Sequence, residues 1–211
     1  DTINQTLAID DVANVRIESL RGQITLSASE GDEVSVKGEL DDDAERFVFE
    51  REGSHINIKV LMPRHLAQGR NKRGSNLVIT IPKQVKINFV GVSTNVLLNG
   101  FSRSVEVKTV SGNIKASHLS TLVELTSVSG NINSHNLSGK IRLSTVTGNI
   151  NDKDSLGRLN LKAVSGNVVT RSSAEEITVN TVSGDVETEL LGVDEFYVST
   201  ISGNYYGNLV L

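Results

Sequence analysis

Residues 110–114 read VSGNI, residues 128–132 read VSGNI again, and residues 146–150 read VTGNI. The same phrase is VSTNV at Val92, VSGNV at Val164, VSGDV at Val182 and ISGNY at Ile201, with successive starts 18, 18, 18, 18, 18 and 19 residues apart. A fixed period of this length marks a repeat architecture in which each unit stacks on the one before. The expected fold is an all-β, single-stranded β-helix, a solenoid with coils of 18 residues.

Each unit can be read by position, counting the valine of the phrase as zero. Positions 13 and 15 are aliphatic: Val105 and Val107, Val123 and Leu125, Ile141 and Leu143, Leu159 and Leu161, Ile177 and Val179. Their neighbours are mostly polar, as in Lys140, Arg142 and Ser144, and this period of two is that of a strand with one face buried. Position 17 is small and position zero is apolar again, so the alternation breaks and the chain must bend there. Positions zero and four point inward in this reading, and apolar Phe101, Leu119, Leu137 and Leu156 close the coil, giving three inward edges and a flattened or triangular section. With strands about 4.8 Å apart, seven units make a rod of roughly 30 Å.

Two columns define the bend. Gly112, Gly130, Gly148, Gly166, Gly184 and Gly203 supply either a positive φ or room at a tight corner. Asn95, Asn113, Asn131, Asn149, Asn167, Asp185 and Asn204 follow them, and stacked amides can hydrogen-bond from coil to coil. The same column could instead offer amides to sugar hydroxyls.

Ahead of the array, residues 12–27 read as a degenerate first rung, because Leu20 precedes Val92 by 72 residues, four periods. Residues 1–90 form an irregular, β-rich part that covers one end, residues 91–211 form the regular coils, and the whole is one solenoid domain. The run Asp41, Asp42, Asp43 marks a turn. Residues 63–75 carry Arg64, His65, Arg70, Lys72 and Arg73 without apolar alternation, as a solvated loop or as a basic contact for an anionic partner.

Composition narrows the function. A net charge of −4 with both signs interspersed argues against a nucleic-acid or anionic-membrane binder. No run approaches the 18 or so apolar residues of a membrane-spanning helix, no charged-then-apolar leader is present, and the chain has no cysteine for disulfides or thiolate metal sites. His118, Asn136 and Asp154 share position eight, with His135 beside them, but coils two apart are too distant to converge on one metal, so an exposed turn is expected and no cofactor is implied. Asp152, Asp154, Asp185, Glu187 and Glu189 are candidates for a carboxylate pair in glycoside hydrolysis, without an aromatic platform to accompany them. Phe196, Tyr197, Tyr205 and Tyr206 gather in the last unit, where they either cap the core or contact a partner, including a second copy through the terminal coil.

The serial phrase TVSGNI, preceded by L-x-L-x-T, resembles the DUF4097 family of bacterial adhesin candidates, also called the Toastrack domain. The resemblance is close over residues 92–211 and loose before them. It implies a right-handed β-helix on extracytoplasmic, periplasmic or cell-surface proteins, and it attaches no catalytic residues. Three hexads of a left-handed helix would also fill 18 residues, but no six-residue sub-repeat is present. The function expected is a non-enzymatic envelope module that meets a surface glycan or an envelope protein, with a carbohydrate-active enzyme on acidic polysaccharide or a mechanical spacer as alternatives.

Overall fold

A computed structural model describes residues 1–64 and 72–210. The chain is all-β, and no helix occurs among the described residues. In the repeat region every coil contributes two strands. One set is β8 (Val105–Thr109), β10 (Leu122–Ser127), β12 (Lys140–Thr145), β14 (Arg158–Ser165), β16 (Glu176–Ser183) and β18 (Glu195–Ser202). The other is β9 (Ile114–Ser117), β11 (Ile132–His135), β13 (Ile150–Lys153), β15 (Val168–Ser172), β17 (Val186–Leu191) and β19 (Tyr205–Val210). Pairing within each set is parallel, and partners are one repeat apart: Val123 lies on Ile141, and Ile132 lies on Ile150. Two parallel layers thus face each other across one aliphatic interior.

The interior follows the strand period. Val123, Leu125, Ile141, Leu143, Leu159, Leu161, Ile177 and Val179 are all buried from one layer, and Val96, Ile114, Ile132, Ile150, Val168 and Val186 from the other. Each fully buried aliphatic side chain contributes about 1.5–3 kcal/mol by leaving water, so the column is the main source of stability. Phe101, Leu119 and Leu137 close the coil as expected, but Leu156 does not. It is exposed, and Ser155 occupies the buried place instead.

The valines at position zero also depart from expectation. Val92, Val110, Val128, Val146, Val164 and Val182 are 37–46% exposed and Ile201 is 81% exposed. The corner is made by two successive outward residues, as in Val110 and Ser111, between inward Thr109 and inward Gly112. One extra outward residue slips the alternation by one and turns the chain from one layer into the other. Position zero therefore adds nothing to the interior, which is enclosed by the two layers and by the buried residues at position nine, Phe101, Leu119, Leu137 and Ser155.

The N-terminal part is threaded differently from a simple run of coils. β2 (Asn14–Ser29) lies directly against β7 (Lys86–Asn99) in parallel, with partners 72 residues apart, as for Val15 and Ile87 or Ile24 and Val96. The four-period offset therefore places one adjacent rung, and the chain between leaves the stack to build its end. On its other side β2 pairs in parallel with β5 (His55–Leu61) and β6 (Ser75–Pro82), which share one further coil. Beyond them the direction reverses: β4 (Arg46–Glu52) is antiparallel to β5, β3 (Glu33–Glu39) is antiparallel to β6, and β1 (Thr2–Ala8) is antiparallel to β3. Val34 and Val36 are fully buried under this cap, while Phe47 and Phe49 are partly buried around buried Val48.

Candidate functional site

At Thr109, Ser127 and Thr145 the corner is held by three kinds of hydrogen bond. The hydroxyl of position 17 accepts from the glycine amide three residues on and donates to a carbonyl of the coil before. Ser127 Oγ accepts from Gly130 N at 2.9 Å and donates to Gly112 O at 3.1 Å, and Thr145 Oγ1 does the same with Gly148 N at 3.0 Å and Gly130 O at 3.2 Å. The glycines serve close approach and not a positive φ: a Cβ on Gly130 would sit 1.9 Å from Gly112 O, and one on Gly148 would sit 2.0 Å from Gly130 O.

The Asn column is a ladder from side chain to backbone. Asn95 Oδ1 accepts from Asn113 N at 2.9 Å, Asn113 Oδ1 from Asn131 N at 2.8 Å, and Asn131 Oδ1 from Asn149 N at 2.8 Å. Asn149, Asn167 and Asp185 continue it to Asn167, Asp185 and Asn204 at 2.8–2.9 Å. The bond needs an acceptor only, which is why Asp185 fits; from Asn95 to Asn167 it uses Oδ1 and leaves Nδ2 out of the contact, while Asn204 Nδ2 donates to Asp185 Oδ1 at 3.3 Å. Asn131→Ala orphans an amide that water can still reach, so a loss of about 1 kcal/mol is expected, whereas Asn131→Asp stays within about 0.5 kcal/mol. Urea unfolding of the two variants measures the difference.

Outside these bonds runs the valine stripe, one aliphatic side chain per coil, with the hydroxyls of Ser93, Ser111, Ser129, Thr147, Ser165 and Ser183 next to it. At its N-terminal end the stripe opens into an apolar depression of about 250 Å³ lined by Leu20, Leu61, Met62, Val90 and Val92. Sequence reading placed these valines inside because they are apolar. The signal that locates them is parity: inward Thr109 and inward Gly112 leave two residues that must face out.

Position six gives the second surprise. It is Leu98, Ala116, Ser134, Asp152, Thr170 and Thr188 on successive coils, all buried. Asp152 is therefore not a surface carboxylate beside Asp154, Glu187 and Glu189 but lies inside the rod with no exposed surface. Ser134 and Ser155 each donate to Asp152 Oδ1 at 2.6 Å, and Thr170 donates to Oδ2 at 3.1 Å. Burial raises its pKa above the ordinary aspartate value, the three hydroxyls oppose the shift, and Asp154 adds to it.

The other predicted groups fall as follows. His118, Asn136 and Asp154 have φ of 52°, 54° and 55°, the backbone of an exposed turn, and His135 Nε2 lies 3.1 Å from Asp154 Oδ2. Among the described residues no cluster of three or more His, Asp or Glu could hold a metal. Arg64 is exposed, while His65 and Arg70 lie outside the described residues. Lys72 and Arg73 do not form a free basic patch. Lys72 Nζ bonds Asp43, Arg73 N donates to Asp42 Oδ2 at 2.8 Å, and the Arg73 guanidinium lies 3.4 Å from Glu39. Arg21 completes the cluster, reaching Asp41 at 2.5 and 2.7 Å and Asp43 at 3.0 Å. The Lys72 ammonium holds the Asp43 carboxyl below the usual range, helped by Arg21. The acidic turn thus anchors the described end of the basic loop.

The two terminal tyrosines separate. Tyr205 occupies the inward place above Val186, lies 5.9 Å from the Phe196 ring, and shares a 2.9 Å hydrogen bond with Thr188 Oγ1, so it closes part of the core. Tyr206 faces out and is 59% exposed.

The chain shares its fold with a solved structure. A Bacteroides fragilis protein named as an adhesin candidate superposes with a TM-score of 0.66 at 15% identity, covering 99% of this chain and 97% of its own. A Clostridium sporogenes protein named as a cell-adhesion candidate gives 0.42 at 9% identity, covering 100% of both chains. An adhesin candidate from Parabacteroides merdae gives 0.42 at 10% identity, covering 99% of this chain and 95% of its own. No functionally curated protein matches the sequence. No helix among the described residues is long and apolar enough to cross a membrane. The profile of the Toastrack DUF4097 family matches residues 12–206, nearly the whole array together with β2 and the cap strands β3 and β4, and the chain belongs to that family.

Proposed function

We propose that the rod is a non-enzymatic interaction module displayed outside the cytoplasm, adhesin-like, which holds an extended surface glycan along its valine corner. In this reading the body is a right-handed β-helix of 18-residue coils whose regularity sets the spacing of the contact. The observation that carries the reading is the stripe from Val92 to Ile201, exposed aliphatic side chains that no strand among the described residues covers. Hydroxyls at position one and asparagine Nδ2 groups at position three border it. Sugars present both apolar ring faces and hydroxyls, and a polymer of them can meet the same set of groups on every coil, about 4.8 Å apart. Weak contacts repeated along one tether add into useful avidity. The adhesin-candidate name of the Bacteroides fragilis structure agrees with this reading. Asp152 lies inside the rod with no exposed surface, and this weakens the case for a carboxylate pair across a glycosidic bond that includes it.

The test is binding of the purified chain to arrayed bacterial surface glycans, followed by the double variant Val128→Ser, Val146→Ser. Binding that falls at least about tenfold, with unchanged circular dichroism, is the expected result, since about 1.4 kcal/mol of lost apolar contact suffices for it. Release of new reducing ends from acidic polysaccharide would replace the reading by an enzyme. No binding and no product would leave a mechanical spacer.

A further inference from the structure

We infer that the outer face of β12 and β14 is a seat for an acidic sugar unit, whose carboxylate meets Lys140, Arg142 and Arg158 and whose hydroxyls meet the polar groups beside them. The seat rests on the glycan reading of the rod and narrows it to glycans that carry carboxylates. Ahead of the corner the outward residues are Lys140, Arg142 and Ser144 on β12, and Arg158, Asn160 and Lys162 on β14. None is acidic, although the chain as a whole has a net charge of −4. The register sets Lys140 directly beside Arg158. Like charges in register on neighbouring strands repel, so this pair costs stability. Arg158 has one acidic neighbour, with Nε 3.4 Å from Glu176 Oε2. Lys140, Arg142 and Lys162 form no ion pair among the described residues, although Glu124 is in register with Arg142.

These side chains frame a hollow of about 150 Å³, lined on three successive strands by Lys140 and Arg142, by Arg158 and Asn160, and by Glu176 and Thr178. Strands lie about 4.8 Å apart and residues two along a strand roughly 7 Å apart, so three long cationic side chains rise from the corners of one small rectangle and can converge above it. A carboxylate there can take a forked pair of hydrogen bonds from a guanidinium and another from the ammonium. The far side of the hollow selects a sugar. Glu176 only accepts hydrogen bonds, while Asn160 and Thr178 donate and accept, so this side suits hydroxyls. Inorganic phosphate or a polyphosphate chain brings no hydroxyls and would face Glu176 with like charge. A neutral sugar leaves the three cations without a counter-charge, and a sugar acid satisfies both sides. Two residues past Lys162 the chain reaches Val164, so the seat lies beside the valine corner.

The test uses the full chain with oligomers of galacturonate, glucuronate and mannuronate, each beside its methyl ester, which keeps the ring and removes the charge. Calorimetric titration is expected to show at least one acid form binding at least about tenfold more tightly than its ester. Lys140→Gln with Arg142→Gln should abolish that difference. Lys115→Gln with Lys153→Gln removes the same charge from the opposite layer and should change it by less than about twofold. All four side chains are exposed, so both double variants should keep the parent circular dichroism and melting temperature. Acid binding that needs Lys140 and Arg142 but ignores Val128→Ser, Val146→Ser would support the seat and move the glycan off the corner. If acid and ester forms bind alike and the valine variant weakens both, the rod remains a glycan binder and the acidic seat is refuted. The seat is equally overturned by no binding of any acid form, by an acid preference that survives Lys140→Gln with Arg142→Gln, by equal loss in the two double variants, or by polyphosphate competing as well as the oligomers.

Discussion

Gly148→Ala is expected to destabilise the rod by about 3 kcal/mol or more, enough to unfold or aggregate a domain of ordinary stability. The added methyl would stand 2.0 Å from Gly130 O, 2.6 Å from Gly130 C and 2.9 Å from Thr145 Oγ1. Two of these atoms are backbone of the coil beneath, so no rotamer change relieves the overlap. The coils must separate at that corner. Separation would stretch the Thr147 N to Val128 O bond, now 2.9 Å, and the neighbouring Asn149 N to Asn131 Oδ1 rung at 2.8 Å. The control is Gly31→Ala, where the nearest atom to the new methyl is Ser29 Oγ at 4.0 Å and the φ is ordinary. That variant should stay within about 0.5 kcal/mol of the parent. Urea unfolding monitored by far-ultraviolet circular dichroism distinguishes the two, and equal midpoints would mean the coils are not in contact at the glycine column.

The same corner explains what could be read from the sequence and what could not. Val123 and Leu125 declare a strand and its inward face, because alternation is a local property and both side chains obey it. Their stacking on Ile141 and Leu143 follows from the period. Position zero defeats the same reasoning: Val128 looks like core, but the turn requires two successive outward residues, and one of them is a valine. Burial at a bend depends on where the backbone goes and not on the hydropathy of one side chain. The path of β2 is half legible. Its 72-residue offset from β7 fixes the vertical alignment, as Val15 on Ile87 shows, but sequence periodicity does not reveal that the intervening chain leaves the stack and returns on the far side. Pairing between distant segments depends on non-local contacts. Lys72 and Arg73 are a similar case, since a basic loop looks free until the turn at Asp41–Asp43 is brought beside it.

Ala163 shows how local chemistry tunes this geometry. Thr109, Ser127 and Thr145 supply the corner hydroxyl in three coils, but the next coil has Ala163 in that place. There the strand does not stop: β14 runs on to Ser165, and β16 and β18 continue likewise to Ser183 and Ser202. Thr181 and Thr200 stand in that place in the next two coils, but their Oγ1 atoms have no hydrogen-bond partner, so in all three coils no hydroxyl holds the glycine amide at the bend and the backbone stays extended further into the corner. The interior polar column begins to change over the same part of the rod, passing from Leu98 and Ala116 to Ser134, Asp152 and Thr170.

Asp152 makes the stability of the rod depend on pH in a direction opposite to that of most carboxylates. Its folded pKa is raised, first by burial, so the folded chain holds the proton to a higher pH than the unfolded chain does. Its contribution is therefore complete below the ordinary aspartate value and is lost as pH rises through the raised value, after which it is constant. Burial of an ionised carboxylate costs several kcal/mol, and hydrogen bonds from Ser134, Ser155 and Thr170 offset part of it at about 1 kcal/mol each or somewhat more. An asparagine in this place would copy the protonated form, since an amide also pairs one acceptor with donors, and its size is the same. Asp152→Asn is accordingly expected to stabilise the rod by about 1–2 kcal/mol at pH 8 and to change little at about pH 3.5. Asp43 titrates in both proteins, with its folded pKa lowered by Lys72, and so removes stability from each equally as pH falls; the difference between them isolates Asp152. Denaturant midpoints of the two proteins across this range measure it. A variant less stable than the parent at pH 8 would mean that the carboxylate is ionised and well held inside, and that the three hydroxyls outweigh burial.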